Sequence, residues 1–246
     1  MSKYLVLIWH VIGLVKSVNQ LKIQMKAFFS ILIALLCLGN LSAQNTMGFN
    51  VQTVLPTGEL KNDSPDLWGG GFAVTGAFNL KDSPIFLGGT LDFTRYGSQL
   101  RNGWHGSVMG DYRHRRQFEM SRLLGFIRIS PDCDAGFYPY VDFNAGVNFV
   151  FTRSILRDSA LEDPFDRYLD WHDFSFTYGI GAGVEIPVNP DILIDINFKT
   201  LKTGQTEYLT PNSVSFDTEQ EIYLLDVQRS RFDTFTFSIG IKAYID

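Results

Sequence analysis

The chain has 246 residues, a formal net charge of −5 and 45% hydrophobic residues. That length suits one domain, and an acidic balance is a poor match to nucleic acid, which needs a positive footprint. Lys3, Lys16, Lys22 and Lys26 all precede residue 44 and no acid does, so the remainder carries −9.

Met25 opens a complete export signal: Lys26, an apolar run from Ala27 to Leu38, and Leu41-Ser42-Ala43 before Gln44. The run is too short to cross about 30 Å of hydrocarbon, which favours a cleaved signal peptide over residues 25–43. A second apolar run, Tyr4 to Val15, sits in front of it. A signal peptide does not normally follow another hydrophobic segment, so residues 1–24 read as an over-extended start; an unusually long n-region is the alternative. Cys37 follows Leu36 rather than a small residue, which argues against lipidation there. Cys133 is then the single cysteine of the exported chain, with no disulfide partner, and reads as an inert turn residue.

From residue 44 onward the sequence alternates. Phe49, Val51, Thr53 and Leu55 oppose Asn50 and Gln52, the pattern of a first strand with one apolar and one polar face. Residues 56–67 carry loop chemistry. The second strand covers about 70–80, with Phe72, Val74, Gly76 and Phe78 on one face; Lys81-Asp82-Ser83-Pro84 turns the chain. The third covers 85–96, with Leu87, Gly89, Leu91 and Phe93 outward. Residues 97–116 form a long polar stretch holding Trp104, His105 and the basic run Arg113 to Arg116; within it, residues 108–112 are able to extend a strand above the membrane. The fourth strand covers 118–129, with Arg122 and Arg128 on its polar face, and residues 130–137 turn. The fifth covers 138–152, and residues 153–172 make a charged loop. The sixth, 173–187, sets Phe174, Phe176, Tyr178, Ile180, Ala182, Val184 and Ile186 against Ser175, Thr177, Gly179, Gly181, Gly183 and Glu185. After the turn at 188–191 the seventh covers 192–201, residues 203–231 form the longest loop, and the eighth closes the chain with Phe235, Phe237, Ile239, Ile241, Ala243 and Ile245 on one face.

Long and short connections alternate strictly, which is the habit of outer-membrane barrels with short periplasmic turns and long extracellular loops. Two further features separate this pattern from a soluble lipocalin-like barrel or sandwich. The strands are about 10 residues or longer, where soluble strands typically run about 5–6. The polar faces also balance their charges, Asp92, Asp142, Glu185 and Asp195 against Arg122, Arg128, Lys199 and Lys242. A sealed lumen needs such pairing and a solvated face does not. The expected fold is an all-β, eight-stranded antiparallel transmembrane β-barrel over residues 44–246, exported to the bacterial outer membrane.

Several segments resemble a known group: SRLLGFIRISP at the fourth strand, FYPYVDFNAGVNF at the fifth, IDINFKTLKTG at the seventh, and the closing FTFSIGIKAYID. Together with the signal ending LSAQ they are similar to the small outer-membrane barrels common in Bacteroidetes, the PorT-like group of the OmpA/OmpX-type superfamily. The closing strand ends Tyr244-Ile245-Asp246 rather than on an aromatic residue, and no peptidoglycan-binding segment follows it. These are strand and turn patterns, so the resemblance implies the barrel and no particular activity.

No catalytic, cofactor or metal site stands out. His172 and Ser175 lie close in sequence but fall on opposite faces of a strand, and the remaining candidates His105 and His114 have no evident Ser partner. Asp158, Glu162, Asp163, Asp166, Asp170 and Asp173 crowd one loop without the spacing of a calcium loop and read as solvated acids. Arg113 to Arg116 read as a solvated strand end, with contact to lipopolysaccharide phosphates as the sharper alternative. Trp68, Trp104 and Trp171 fall where an extracellular aromatic girdle sits. The expected function is a non-enzymatic outer-membrane protein whose loops, above all 203–231, serve structural, adhesion or interaction roles. Its partners would be outer-membrane lipid, lipopolysaccharide and other envelope proteins. The alternatives are an accessory subunit of a secretion or assembly machine and a lipid-modifying enzyme.

Overall fold

The protein is described by a computed structural model covering residues 45–80, 83–105, 108–131, 136–158, 163–164, 166–217 and 222–245, with backbone alone for 103–105, 108–112, 216 and 222. The leader assignments at 1–24 and 25–43, Cys37, Cys133, Glu162, the Lys81-Asp82 half of the first turn and the side chains of Trp104 and His105 lie outside what is described.

Eight strands close into an antiparallel barrel: β1 (Asn45–Pro56), β2 (Gly69–Asn79), β3 (Ile85–His105), β4 (Val108–Ile129), β5 (Tyr138–Arg157), β6 (Asp166–Pro187), β7 (Ile192–Thr203) and, after four short strands, β12 (Thr234–Ile245). Each pairs with its sequence neighbour, and β12 returns to β1 in unbroken register from Asn45↔Ile245 to Pro56↔Thr234. Closure removes both sheet edges and pairs the backbone between strands, a requirement wherever hydrocarbon surrounds the chain.

The alternation read from sequence carries through to burial. Outward on β6, Phe174, Phe176, Tyr178 and Ile180 are exposed; inward, Ser175 and Thr177 are buried. Apolar outside and polar inside is the reverse of a soluble protein, and it puts the belt in lipid. Aromatic rings tile that belt across strands: Phe72 lies 5.5 Å from Phe93, Phe149 is 4.3 Å from Phe174, and Phe198 is 5.0 Å from Phe237, centroid to centroid.

Three stretches assigned as loops are built differently. Residues 97–105 and 108–116 continue β3 and β4 as a paired hairpin, and 153–157 and 166–172 continue β5 and β6. Above the bilayer the outer face meets water, so nothing keeps it apolar; the alternation that marks a strand fades while the backbone pairing persists. Within 56–67 a short helix, α1 (Gly58–Asp63), drops Leu60 into the barrel mouth. Gly58 opens it at φ +59°, a left-handed conformation that glycine adopts without strain.

The result is a mouth with one tall side. β3 to β6 rise as a wall, while β1, β2, β7 and β12 stop lower. Residues 204–217 and 222–233 lean against the inside of that wall. They contain β8 (Gln205–Tyr208) paired with β11 (Gln228–Arg231), a 3-10 turn at Pro211–Ser213, and β9 (Val214–Asp217) paired with β10 (Ile222–Leu225). The stretch expected to be the longest exposed loop is, where it is described, folded over the mouth as a lid.

Candidate functional site

The lumen is filled in tiers. Toward the short turns, Arg128 donates from Nε and Nη2 to both carboxylate oxygens of Asp142 (2.8 and 2.9 Å) and from Nη1 to Glu185. Its guanidinium lies 3.5 Å from the centroid of the Tyr140 ring. Lys242 bridges Glu185 at 2.5 Å and Asp195 at 3.2 Å, and the Tyr140 hydroxyl donates to Asp195. Gly183 lets the Tyr140 ring lie against the backbone, since a Cβ there would sit 2.4 Å from the ring. Higher up, Arg122 donates to Asp92 at 3.0 Å and to the Thr234 hydroxyl at 3.0 Å.

The sequence grouped these acids and bases without assigning partners; the register now pairs seven of the eight in direct contact. The lower tier holds three acids and two bases. Lys199 lines the cavity beside it and makes no close ion pair among the described residues. That cavity is about 10 Å³ and is lined by Asn50, Thr90, Asp142, Asn197 and Lys199 among others. It has room for one water at most.

An apolar cork lies above the ions. Val54, Tyr96, Phe118, Met120 and Val150 come from the barrel strands, Leu60 from α1, Leu67 from the segment after it, and Tyr208, Leu209, Val214 and Phe232 from the lid. Trp171 packs against this cork, so it faces inward and does not join the outer girdle; Trp68 is exposed at the rim as expected. Asp233 ties the lid's return. Its carboxylate accepts the Thr203 N–H at 2.8 Å and the Lys202 ammonium at 2.9 Å.

Between lid and tall wall sits a buried polar knot that sequence reading missed. Ser154 Oγ donates to Asp170 Oδ2 at 2.6 Å, His114 Nε2 lies 2.7 Å from Ser154 Oγ, and His114 Nδ1 lies 2.7 Å from the Tyr223 hydroxyl on β10. Arg116 holds Asp170 through Nε at 3.0 Å and spreads over the Tyr223 ring. Asp170 is thus an ion-paired wall residue, and Asp173 is tied to the Glu207 N–H, so these two are not the solvated acids they resemble in sequence. Burial pushes the Tyr223 phenol up from its ordinary value, which keeps it protonated and able to donate to His114.

Ser, His and Asp here share the composition of a hydrolase triad and reverse its order. In a triad the carboxylate orients the imidazole and the imidazole takes the serine proton. Here the carboxylate takes the serine proton directly, which leaves the imidazole donating to Ser154. Ser154 is also fully buried. What the knot does is clasp the lid strand β10 to the wall. Tyr223→Phe leaves His114 Nδ1 without this donor and should cost about 1 kcal/mol. A shifted midpoint in chemical unfolding of the micelle-bound protein, without loss of the barrel, checks it. By contrast, His172 faces outward and Ser175 inward, as their spacing implied.

A closed barrel of even strand number, with an apolar belt, paired charges inside, short turns at one end and a tall mouth at the other, defines an integral outer-membrane β-barrel protein. No family model matches the chain, and no curated protein matches it. Solved structures to which it is similar include three outer-membrane proteins. The attachment invasion locus protein Ail of Yersinia pestis is 14% identical, with 82% of this chain and 97% of that one covered and a TM-score of 0.40. OprG of Pseudomonas aeruginosa is 11% identical, with 82% and 96% covered and a TM-score of 0.43. Outer membrane protein W of E. coli is 16% identical, with 84% and 100% covered and a TM-score of 0.37. Likenesses this distant carry no inference about activity.

Proposed function

We propose that the protein is a non-enzymatic barrel of the outer membrane that works through its outer walls and its cap, in a structural, adhesion or interaction role. The observation that carries this reading is the double closure of the lumen, by ion pairs below and by the cork above. An eight-stranded barrel is just wide enough for its own side chains, and this one is filled by them. The reversed order of Asp170, Ser154 and His114 supports a clasp rather than a catalyst. An accessory role in a secretion or assembly machine, as implied by the PorT-like resemblance, is a narrower form of the same reading.

Two measurements test it. Cell fractionation should place the protein in the outer membrane, where it migrates differently on SDS gels before and after boiling. Cross-linking in intact envelopes then identifies partners of the walls and cap, and a lipid A mass change on deletion would replace this reading with a lipid-modifying enzyme.

Closure also makes a prediction of its own. In planar bilayers the protein should show no steady ion conductance. Replacing residues 205–231 by a short Gly-Ser linker should leave it non-conducting, because the Arg122 and Arg128 tiers lie beneath the cork. Open-channel currents from the intact protein would contradict a filled lumen.

A further inference from the structure

Strand alternation splits the basic run at 113–116. His114 and Arg116 enter the mouth, while Arg113 and Arg115 stand on the outer face of β4. Cross-strand pairing brings more arginines to that face. Arg95 on β3 stands opposite Glu119, Arg153 on β5 opposite Gln117, Arg157 opposite Arg113, and Arg167 on β6 opposite Ile155, which itself faces Arg115. Six of the twelve arginines in residues 45–246 thus occupy the outside of the tall wall, in a chain whose net charge is negative. Glu119 on this panel is shared by Arg95 and Arg153 at 2.7 Å each, and Asp111 lies two residues beyond Arg113 on the same strand. Asp158, Asp163 and Asp166 follow at the wall's tip.

The height of the panel is as informative as its charge. Outward residues on β5 run Val141, Phe143, Ala145, Val147, Phe149, Phe151 and then Arg153. Ten steps of about 3.3 Å, tilted by about 40°, make roughly 25 Å of apolar wall, the height of an outer-membrane belt. On β3 the change comes between Phe93 and Arg95, and Arg95 stands in register, through Glu119, with Phe151, one outward position before Arg153. The arginines begin where hydrocarbon ends and headgroups start.

The panel holds arginine and no lysine, and the guanidinium fork matches phosphate oxygens two at a time. We propose that the outer face of β3 to β6 binds the phosphate groups of the anionic glycolipid in the surrounding outer leaflet. This rests on the outer-membrane reading above and adds to it the lipid and the residues that hold it.

The test uses the folded protein in nanodiscs of phosphatidylcholine doped with bisphosphorylated lipid A, or with the same lipid A after phosphatase treatment. Retained lipid is counted by native mass spectrometry. The phosphorylated form should be retained roughly tenfold or more over the dephosphorylated one, given the strength of charge-assisted hydrogen bonds. The Arg113→Gln/Arg115→Gln/Arg153→Gln variant should lose that preference, and Arg229→Gln/Arg231→Gln on the lid should keep it. Millimolar inorganic phosphate should not compete.

Equal retention of the two lipids, a preference surviving in the triple variant, or full competition by free phosphate would each overturn the proposal. If the triple variant does not fold, as judged by its heat shift, the comparison of the two lipids on the unaltered protein decides alone. Failure of that protein to insert into nanodiscs would instead count against the membrane reading.

Discussion

Arg128→Met should cost the barrel about 3–5 kcal/mol, the usual penalty for removing one partner of a buried ion pair. Arg128 is the hub of the lower tier: it faces Asp142 and Glu185 and covers the Tyr140 ring. Without it Lys242 still reaches Glu185 and Asp195, but Asp142 is left buried without the base that pairs with it. Because the loss comes from an uncompensated charge, Arg128→Met with Asp142→Leu should recover part of it, which a purely steric account does not predict. The outer pair Arg153–Glu119 provides the contrast. Arg153 is 39% exposed, and Arg153→Met should cost no more than about 1 kcal/mol. Denaturant unfolding of the micelle-refolded protein measures all three. Equal losses for Arg128→Met and Arg153→Met would mean that the lumen is wet and the charges well screened.

How far the sequence discloses this protein depends on where the two faces differ. Through the bilayer one face meets lipid and the other a crowded lumen, so every second residue is constrained. Phe174 to Ile186 and Phe235 to Ile245 announce their orientation, and Asp92, Asp142, Arg122 and Arg128 announce a sealed interior. Above the bilayer the constraint lapses. Residues 97–116 and 153–172 pair just as well but face water outside, and their polar composition reads as loop. The lid was hidden for a different reason. Leu209, Val214 and Phe232 are isolated apolar residues in a polar stretch, and only the closed ring shows that they meet Tyr96 and Phe118. His114, Ser154 and Asp170 come together from three strands at separations set by register. Their one sequence signal was that strand pairing brings β4, β5 and β6 side by side; fixing it required knowing that strand continued past residue 152.

Ile180→Arg should destabilise the protein by about 2–4 kcal/mol, the cost of a cation on the lipid face near the bilayer midplane. Ile180 lies midway along the outward series from Phe174 to Ile186 and is 54% exposed. On a soluble protein an exposed Ile→Arg change is worth about 0.5 kcal/mol or less in either direction, so the size of the effect reports the surroundings rather than the fold. Inward substitutions fail by another route. A Cβ at Gly179 would sit 2.0 Å from the Thr200 carbonyl oxygen, whereas at Gly181 the nearest atom is 3.2 Å away, so Gly179→Ala should be worse tolerated than Gly181→Ala. A labelling scan in a Cys133→Ser background separates lipid from lumen directly. Fluorophores on single cysteines at 174, 176, 178, 180 and 182 should be quenched by brominated lipid. Cysteines at 175, 177 and 181 should resist labelling or escape quenching, since their side chains point into the filled interior. Uniform quenching along β6, with a small cost for Ile180→Arg, would place the apolar belt against something other than a bilayer.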